Sequence, residues 1–333
     1  MLRYIVKRLL QLVPTLFGLS VLLFAWVRAL PGGPENALLP DNATQADREA
    51  LRESLGLNEP IMMQYGYFMQ RLLQGDLGTT LQGRPVATEL IERFPATFEL
   101  AMMAMIIAFF VGIPLGYMAA RRRGGLLDFG AIAGSLIGIC TPVFFLAFML
   151  KEVFAVQLGW LPAGSRLTTG LSYTDVTGLR ILDSIVTGEF VVTGDAFTHL
   201  ILPGLALSSI PLAVITRMTR ASVLETLGED FVRTAESKGL KAHTIQTRHV
   251  LRNAMLPVVT ATGLLTGSLL AGAVLTESVF NFGGLGSFVF NATQVRDYEA
   301  IMGSILLIAL VFVVVNLIVD LCYTLLDPRV RVQ

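Results

Sequence analysis

Apolar residues in this chain are gathered into long blocks instead of recurring at the spacing of a soluble core. Six blocks approach the roughly 20 residues that a helix needs to cross a hydrocarbon layer of about 30 Å. They are Leu9–Leu30, Phe98–Ala120, Phe129–Leu150, Thr198–Ile215, Leu256–Thr276 and Ile301–Tyr323. The pattern predicts an all-α polytopic membrane protein with six transmembrane helices. Arg3, Lys7 and Arg8 precede the first block, as basic residues precede a signal peptide. Its apolar run is nevertheless longer than the roughly 7–15 residues of a cleaved signal, and the PGGP run at Pro31–Pro34 is no small-residue cleavage site. A retained anchor is expected.

The polar stretches between blocks carry helical patterns of their own. Asp47–Leu55 places Leu51 and Leu55 at helical spacing, and Gly56 can stop that helix in a left-handed cap. Asn58 reads as the N-cap of a second helix, with Pro60 just inside, running to Gln74 and stopping at Gly75. Met62, Met63, Tyr65, Phe68, Met69, Leu72 and Leu73 make it amphipathic, suited to lie on the outer leaflet or over the bundle. Glu152–Phe197 is rich in Gly, Thr and Asp and includes LPAGSR at Leu161–Arg166; it reads as a solvated loop able to dock an extracytoplasmic partner. Between Arg217 and Arg252, Glu229–Leu240 predicts a short helix starting near Glu229 or Asp230, with Lys238 at its negative end and Gly239 as its stop. Phe231, Ala235 and Leu240 gather on one face, and small Ala235 and Gly239 permit close approach by another body. A short helix hung between two spans can transmit a push without entering the membrane.

Composition sharpens this reading. Of 333 residues, 53% are apolar and 15% charged, against about 25% charged in an ordinary soluble domain. A soluble enzyme, a nucleic-acid binder and a disordered chain are all disfavoured. The 25 basic and 25 acidic residues balance, so no nucleic-acid partner is indicated. Their distribution orients the chain. With both termini inside, 15 of the 25 basic residues fall in internal segments, Arg121–Arg123 among them, and 18 of the 25 acidic residues fall outside. The positive-inside rule therefore predicts cytoplasmic termini.

Glycines at 130, 134 and 138, then 263, 267 with Ala271, and 112 with 116, form small-residue stripes on three blocks, a signature of close helix packing. Pro114, Pro142, Pro203 and Pro211 free backbone carbonyls that neighbours must satisfy. Charges are scarce inside the blocks. Arg28, Glu99, Lys151 and Glu277 lie near expected ends, and Asp320 shares a helix face with Asn316, as a structural pair or as part of a gate or subunit contact. Cys140 and Cys322 lie in apolar blocks and suggest no disulfide, while His199, His243 and His249 form no metal pattern. The sequence has no GxxxxGK[ST] run, so this chain binds no ATP through a P-loop. NFGGLG at Asn281–Gly286 has no preceding strand and reads as a turn or re-entrant segment. The triplets at Asn42–Thr44 and Asn291–Thr293 carry no functional weight.

Glu229–Gly239 resembles the EAA loop of permease subunits in binding-protein-dependent ABC importers. Arg233, Thr234 and Ala235 occupy the signature triplet, Gly239 follows four residues after Ala235, and Leu256-Pro257 closes the motif. Arg233 and Thr234 stand where the loop's name has Glu and Ala. MLRYIVKRLLQLVPTLFGLS at the start, PGGP, LGLNEP (Leu55–Pro60), GDLGTT (Gly75–Thr80) and RFPATFELA (Arg93–Ala101) narrow the resemblance. With NFGGLG, RDY (Arg296–Tyr298), VNLIVDLCY (Val315–Tyr323) and DPRVR (Asp327–Arg331), the chain is similar throughout to B-type permease subunits of dipeptide and oligopeptide importers.

That resemblance implies a type I ABC importer permease fold, multi-pass in the bacterial inner membrane. It divides the chain into a first span with its cytoplasmic end (1–30), an extracytoplasmic segment (31–95) and a permease domain (96–326) holding a coupling loop (217–255). The implied ATPase-coupling residues are Glu229, Asp230, Phe231, Arg233, Thr234, Ala235, Lys238 and Gly239; no catalytic, substrate or metal-ligating residue is implied. The implied partners are a homologous C-type permease subunit, two ATP-binding subunits and an extracytoplasmic peptide-binding protein. This chain would bind no cofactor, ATP and Mg residing on the ATPases, and peptide would be the cargo. Glutathione, haem and nickel-chelate permeases are similar, and the cargo stays open among them. Two other readings remain: an ion- or proton-driven peptide carrier, and a non-transporting membrane scaffold.

Overall fold

The computed structural model describes residues 2–29, 39, 44–54 and 56–326, with side chains at all of these except 2–9, 48, 54, 270–272 and 319–326. PGGP, most of the Asn42–Thr44 triplet, Leu55 and DPRVR lie outside the described residues, as do the side chains of Arg3, Lys7, Arg8, Ala271, Asp320 and Cys322. In chain order the helices begin with α1 (Leu2–Ala29), α2 (Gln45–Ser54), α3 (Ile61–Leu73), α4 (Val86–Arg121) and α5 (Leu126–Cys140). Next come α6 (Val143–Leu150) with a π-helical extension Lys151–Gln157, α7 (Arg180–Thr187), α8 (Phe190–Leu227) and α9 (Asp230–Ser237). A π-helical stretch, Ile245–Leu251, leads into α10 (Arg252–Gly272), followed by α11 (Val274–Val279), α12 (Leu285–Val295) and α13 (Tyr298–Leu326). The protein is all-helical among the described residues, apart from an isolated Thr79–Pro85 bridge.

Four described segments are long and apolar enough to cross a membrane: Leu10–Ala29, Val86–Arg121, Phe190–Leu227 and Tyr298–Ile318. A fifth is formed if α5 and α6 with its extension count as one span, although they bend by 104°. The expected block Phe129–Leu150 is therefore two helices with a break between them. Thr141 is extended (φ −82°, ψ 123°), and Pro142 is the N-cap of α6, not a residue inside a helix. A residue before proline is disfavoured in the α region and proline donates no N–H, which eases a break at this point without compelling one. Pro114, Pro203 and Pro211, by contrast, lie within continuous helices. Block Leu256–Thr276 corresponds to α10, 21 residues that stop at Gly272.

The described residues divide into two compact units, one of Met1–Phe94 with Gly284–Val313, the other of Pro95–Gly283 with Val314–Gln333. In the first unit, α2 starts earlier than its apolar pattern suggests. Thr44 and Asp47 form a reciprocal capping box, with Thr44 N–H to Asp47 Oδ2 at 3.0 Å and Asp47 N–H to Thr44 Oγ1 at 3.2 Å. Gly56 takes the expected left-handed conformation (φ 64°) after α2. For α3 the cap is corrected: Pro60, not Asn58, is the N-cap, and it makes no side-chain cap bond. The helix lies over α1, where Tyr65 sits edge-on to Phe24 (5.3 Å) and its hydroxyl is 2.9 Å from Ser20 Oγ. Met62 and Leu73 project outward, 80% and 82% exposed.

Two motifs far apart in sequence meet in this unit. Gly75 and Gly78 of GDLGTT both have left-handed backbones (φ 77° and 87°), which turns the strand of peptide groups beyond them toward the start of α13. There Thr79 N–H donates to Glu299 Oε2 at 2.6 Å, and Leu81 N–H to Asp297 Oδ2 at 2.8 Å. Glycine suits this left-handed backbone at Gly78, and the missing Cβ leaves room for the Glu299 carboxylate. Val86, Leu90, Leu285, Ala292, Ala300 and Ile301 form the buried core beside it.

In the second unit α8 is the axis, extending well beyond Thr198–Ile215 at both ends because its polar turns find partners. Asp195 accepts from Thr168 N–H (2.8 Å) and Oγ1 (2.7 Å), and Ser222 Oγ donates to Ala254 O at 2.9 Å. Helices α5, α6, α7 and α10 pack against it. Gly112, Gly116 and Gly138 each bring a backbone close to α8, and Gly263 and Gly267 are buried. Gly130 and Gly134 meet nothing within 4 Å, so the expected stripe on α5 packs in this chain only at Gly138. On α5 and α8, Arg220 forks onto Asp128, with Nη2 to Oδ2 at 2.9 Å.

Segment Glu152–Phe197 is folded, correcting the solvated-loop expectation for LPAGSR. Ser165 N–H donates to Phe280 O at 2.8 Å, and His199 Nδ1 is 2.9 Å from Gly164 O. Arg166 pairs with Glu99 at 2.6 Å, both about nine-tenths buried. Glu277 is fully buried with Thr97 Oγ1 donating at 2.5 Å, so Glu99 and Glu277 are each satisfied inside the fold. NFGGLG is a turn, with Asn281 and Gly283 at positive φ.

Asp183 organises the turn before α7. Burial alone would push its carboxyl up, but Thr177 Oγ1 and the N–H groups of Thr177, Val176 and Gly178 donate to it and hold it below the ordinary range. A carboxyl lowered by folding adds stability above its unfolded pKa, and that stability is lost as pH falls through the folded value. Hydrogen-exchange protection of Val176–Gly178 should therefore fall on acidification below about pH 4. Asp183→Asn should remove most of that dependence; an identical acid profile in the variant would contradict the assignment.

Candidate functional site

The eight coupling candidates lie on one short element and its two flanks. Glu229 is extended (φ −73°, ψ 145°) and serves as N-cap of α9 without a side-chain cap bond. Asp230 stands in the first turn, where a carboxylate favours the positive end of the helix dipole. Thr234 Oγ1 donates back to Asp230 O at 2.9 Å. Gly239 ends the element: its φ is 70°, its N–H donates to Glu236 O at 2.9 Å, and Leu240 N–H reaches Ala235 O at 3.3 Å. These two bonds satisfy carbonyls that a helix end leaves open. No atom lies within 4 Å of where a Gly239 Cβ would be, so backbone conformation, not space, makes glycine fit.

Burial divides the candidates sharply. Ala235 is 5% exposed and faces inward, whereas Glu229, Asp230, Phe231, Arg233, Thr234, Lys238 and Gly239 are exposed. The expected apolar face is therefore corrected. Its inward members are Val232 and Ala235, three residues apart, while Phe231 and Leu240 point out at 40% and 41% exposure. Ala235 is covered by this chain, so its small size serves internal packing. Val232 was missed because Phe231 shares its hydrophobicity; the Val232–Ala235 spacing is itself a helical i,i+3 pair and could have found it.

Val232 and Ala235 belong to one core with Ala120 of α4, Val223 of α8, Ile245 and Val250 of the π-helical stretch and Ala254 of α10. Tyr117 and Leu224 pack against it. Tyr117 Oη also donates to Gln246 Oε1 at 2.8 Å, a link outside every sequence motif. Close packing makes such a core stiff, so it can carry a displacement of α9 to the ends of three long helices. The outer face presents two apolar side chains among charges. The Arg233–Asp230 pair, 3.8 Å apart and largely exposed, adds little stability. Such a face can serve contact with another body, and among the described residues it assembles no constellation for bond chemistry.

Comparison with known proteins follows the same segment. Residues 112–332 match the family described as binding-protein-dependent transport system inner membrane component, and residues 1–101 match its N-terminal companion. The dipeptide transport system permease protein DppB of Escherichia coli is 43% identical over 336 residues, covering 99% of each chain. The di/tripeptide transport system permease protein DppB of Pseudomonas aeruginosa is also 43% identical, covering 100% of each chain. The glutathione transport system permease protein GsiC of Escherichia coli is 38% identical over 332 residues, 99% of each.

Proposed function

The chain belongs to the family of binding-protein-dependent transport system inner membrane components, and from that membership we propose that it is the permease subunit of an ATP-driven importer of dipeptides. What carries the reading is end-to-end similarity to dipeptide permeases at 40–43% identity. As a permease subunit it has no ATPase site of its own, and partner subunits hydrolyse the nucleotide. The ion- or proton-driven carrier is set aside, because relatives of this kind serve binding-protein-dependent systems. Glutathione transport by GsiC keeps glutathione and longer peptides as competing cargoes.

In this reading the chain crosses the bacterial inner membrane six times with both ends cytoplasmic. The bent pair α5–α6 and the 21-residue α10, about 32 Å long, join the other four spans. Residues 1–30 hold the first span, 31–95 an extracytoplasmic segment and 96–326 the permease domain, with 217–255 as its coupling loop. A homologous C-type permease completes the path, a peptide-binding protein delivers cargo from outside, and two ATPases holding ATP and Mg dock on α9. Exposed Phe231 and Leu240 seat in the ATPase surface, and Glu229, Asp230, Arg233, Thr234 and Lys238 set its register. Ala235 and buried Val232 pass the movement inward.

ATP-driven closure pulls α9, and the core around Val232 carries the pull to α4, α8 and α10, opening the path outward. Hydrolysis reverses it. Inverting a two-state population from 1:99 to 99:1 requires about 5.5 kcal/mol of differential binding, which the nucleotide cycle must provide. Expressed with its companions in a strain lacking dipeptide importers, the chain should restore uptake of a labelled dipeptide. Uptake should persist after the proton gradient is collapsed with ATP maintained. Uptake that disappears with the gradient while ATP stays high would return the ion-driven reading. Competition by glutathione, longer peptides, haem and nickel chelates orders the cargoes.

A further inference from the structure

The unit containing Met1–Phe94 and Gly284–Val313 encloses a cavity of about 160 Å³ between the end of α1, the inner face of α3, the Thr79–Leu81 turn and the start of α13. Its apolar wall includes Phe24, Phe68 and Met302, and Arg296, Arg71 and Gln64 also line it. The acidic groups at its rim are already engaged. Asp297 accepts from the N–H groups of Leu81 (2.8 Å) and Ala300 (3.1 Å), and Glu299 from Thr79 N–H (2.6 Å) and Arg71 (3.5 Å). Arg296 is different. It caps α12 in the left-handed region (φ 60°), is exposed, and has no ion pair among the described residues.

Gln64 lines the cavity but offers it no free group. Its Nε2 donates to Leu57 O (3.0 Å) and Glu59 O (2.7 Å), which fixes which way the amide points, and its Oε1 is buried with no surface open to a ligand. The cavity thus offers Arg296 for an anion, with Arg28 and Arg71 also in its lining, and an apolar wall. Its position matters equally. Phe24 lies in a helix long and apolar enough to span a membrane, whose neighbouring Leu22 and Trp26 are 61% and 41% exposed.

We propose that this cavity holds the headgroup of a membrane phospholipid. Arg296 neutralises the phosphate, and the acyl chains leave past Phe24, Phe68 and Met302 to lie along α1. Recognition is of a phosphate ester; the bilayer is its source because the apolar wall adjoins a lipid-facing helix. The inference rests on α1 crossing the membrane and is independent of the cargo transported.

The test uses the full-length chain, purified in detergent, stripped of lipid and titrated with palmitoyl-oleoyl phosphatidylethanolamine under native mass spectrometry. One lipid per chain should remain bound at energies that remove all others. Arg296→Asn keeps a residue that tolerates the left-handed backbone yet removes the charge, and should weaken retention about tenfold. Met302→Trp, which fills the cavity, should abolish it. Soluble phosphoethanolamine should compete only at far higher concentration. Wild-type retention in Arg296→Asn overturns the proposal whatever happens to Met302→Trp. So does phosphoethanolamine binding as tightly as the lipid, or displacement of the lipid by dialanine at concentrations where phosphoethanolamine fails.

Discussion

Replacing Gly239 with valine is expected to abolish dipeptide uptake while the chain still inserts and can be purified with its ATPases. At φ 70° a β-branched residue is forced into a region that costs an ordinary L-residue about 1–2 kcal/mol, and valine more. Nothing stands within 4 Å of the new Cβ, so the penalty falls on the turn alone and leaves distant packing intact. That penalty is small against a whole membrane domain but large for α9. The helix has only eight residues, and Val232 and Ala235 are its sole buried side chains. Losing the two bonds at Glu236 O and Ala235 O would unwind its last turn and displace Lys238 from the ATPase face. Gly239→Asn is the discriminating partner, since asparagine accepts the left-handed backbone and should retain most uptake. Labelled-dipeptide uptake and ATPase activity, measured on both variants, decide the matter. Equal wild-type uptake in the two would remove α9 from the coupling role.

Legibility in the sequence followed the physics of each feature. Gly56, Gly75 and Gly239 could be read as stops because a left-handed backbone is a local demand, and all three have positive φ. Hydrophobic blocks were equally visible, since membrane solvation acts on every residue of a span. The break at Thr141-Pro142 was not, because proline alone does not distinguish the continuous helix around Pro203 from the 104° bend after Cys140. LPAGSR looked solvated because its glycine, serine and arginine are polar, yet Gly164 is pressed against Phe280 O and Arg166 onto Glu99. Such contacts join residues about 67 to more than 110 positions apart, and no local pattern announces them. At α9 the element and its ends were legible, whereas its buried side was not. Phe231 and Val232 are both apolar, and only the core beneath them selects valine.

Gly116→Val carries the largest expected effect on the folded chain itself. A Cβ at this position would lie 2.4 Å from Thr216 O and 2.8 Å from Thr219 Cβ, closer than real contacts allow. The first obstacle is backbone of α8, which cannot rotate away as a long side chain could. Helices α4 and α8 must therefore separate where they cross. Overpacking of this kind costs about 1–3 kcal/mol when side chains yield, and more is expected when two backbones must part. Separation here also pulls on Arg220, whose N–H lies 3.1 Å from the same virtual Cβ and whose side chain holds Asp128. Gly134→Val isolates the sequence rule from the geometry. It belongs to an equally regular small-residue stripe, yet its Cβ would meet nothing within 4 Å. Membrane-inserted protein and thermal melting in detergent should drop steeply for Gly116→Val and change by only a few tenths of a kcal/mol for Gly134→Val. Comparable losses in both would mean that stripe spacing, and not the specific approach of α4 to α8, governs packing. Loss of uptake in Gly134→Val with melting unchanged would instead mark the open face of α5 as the side that meets the companion permease.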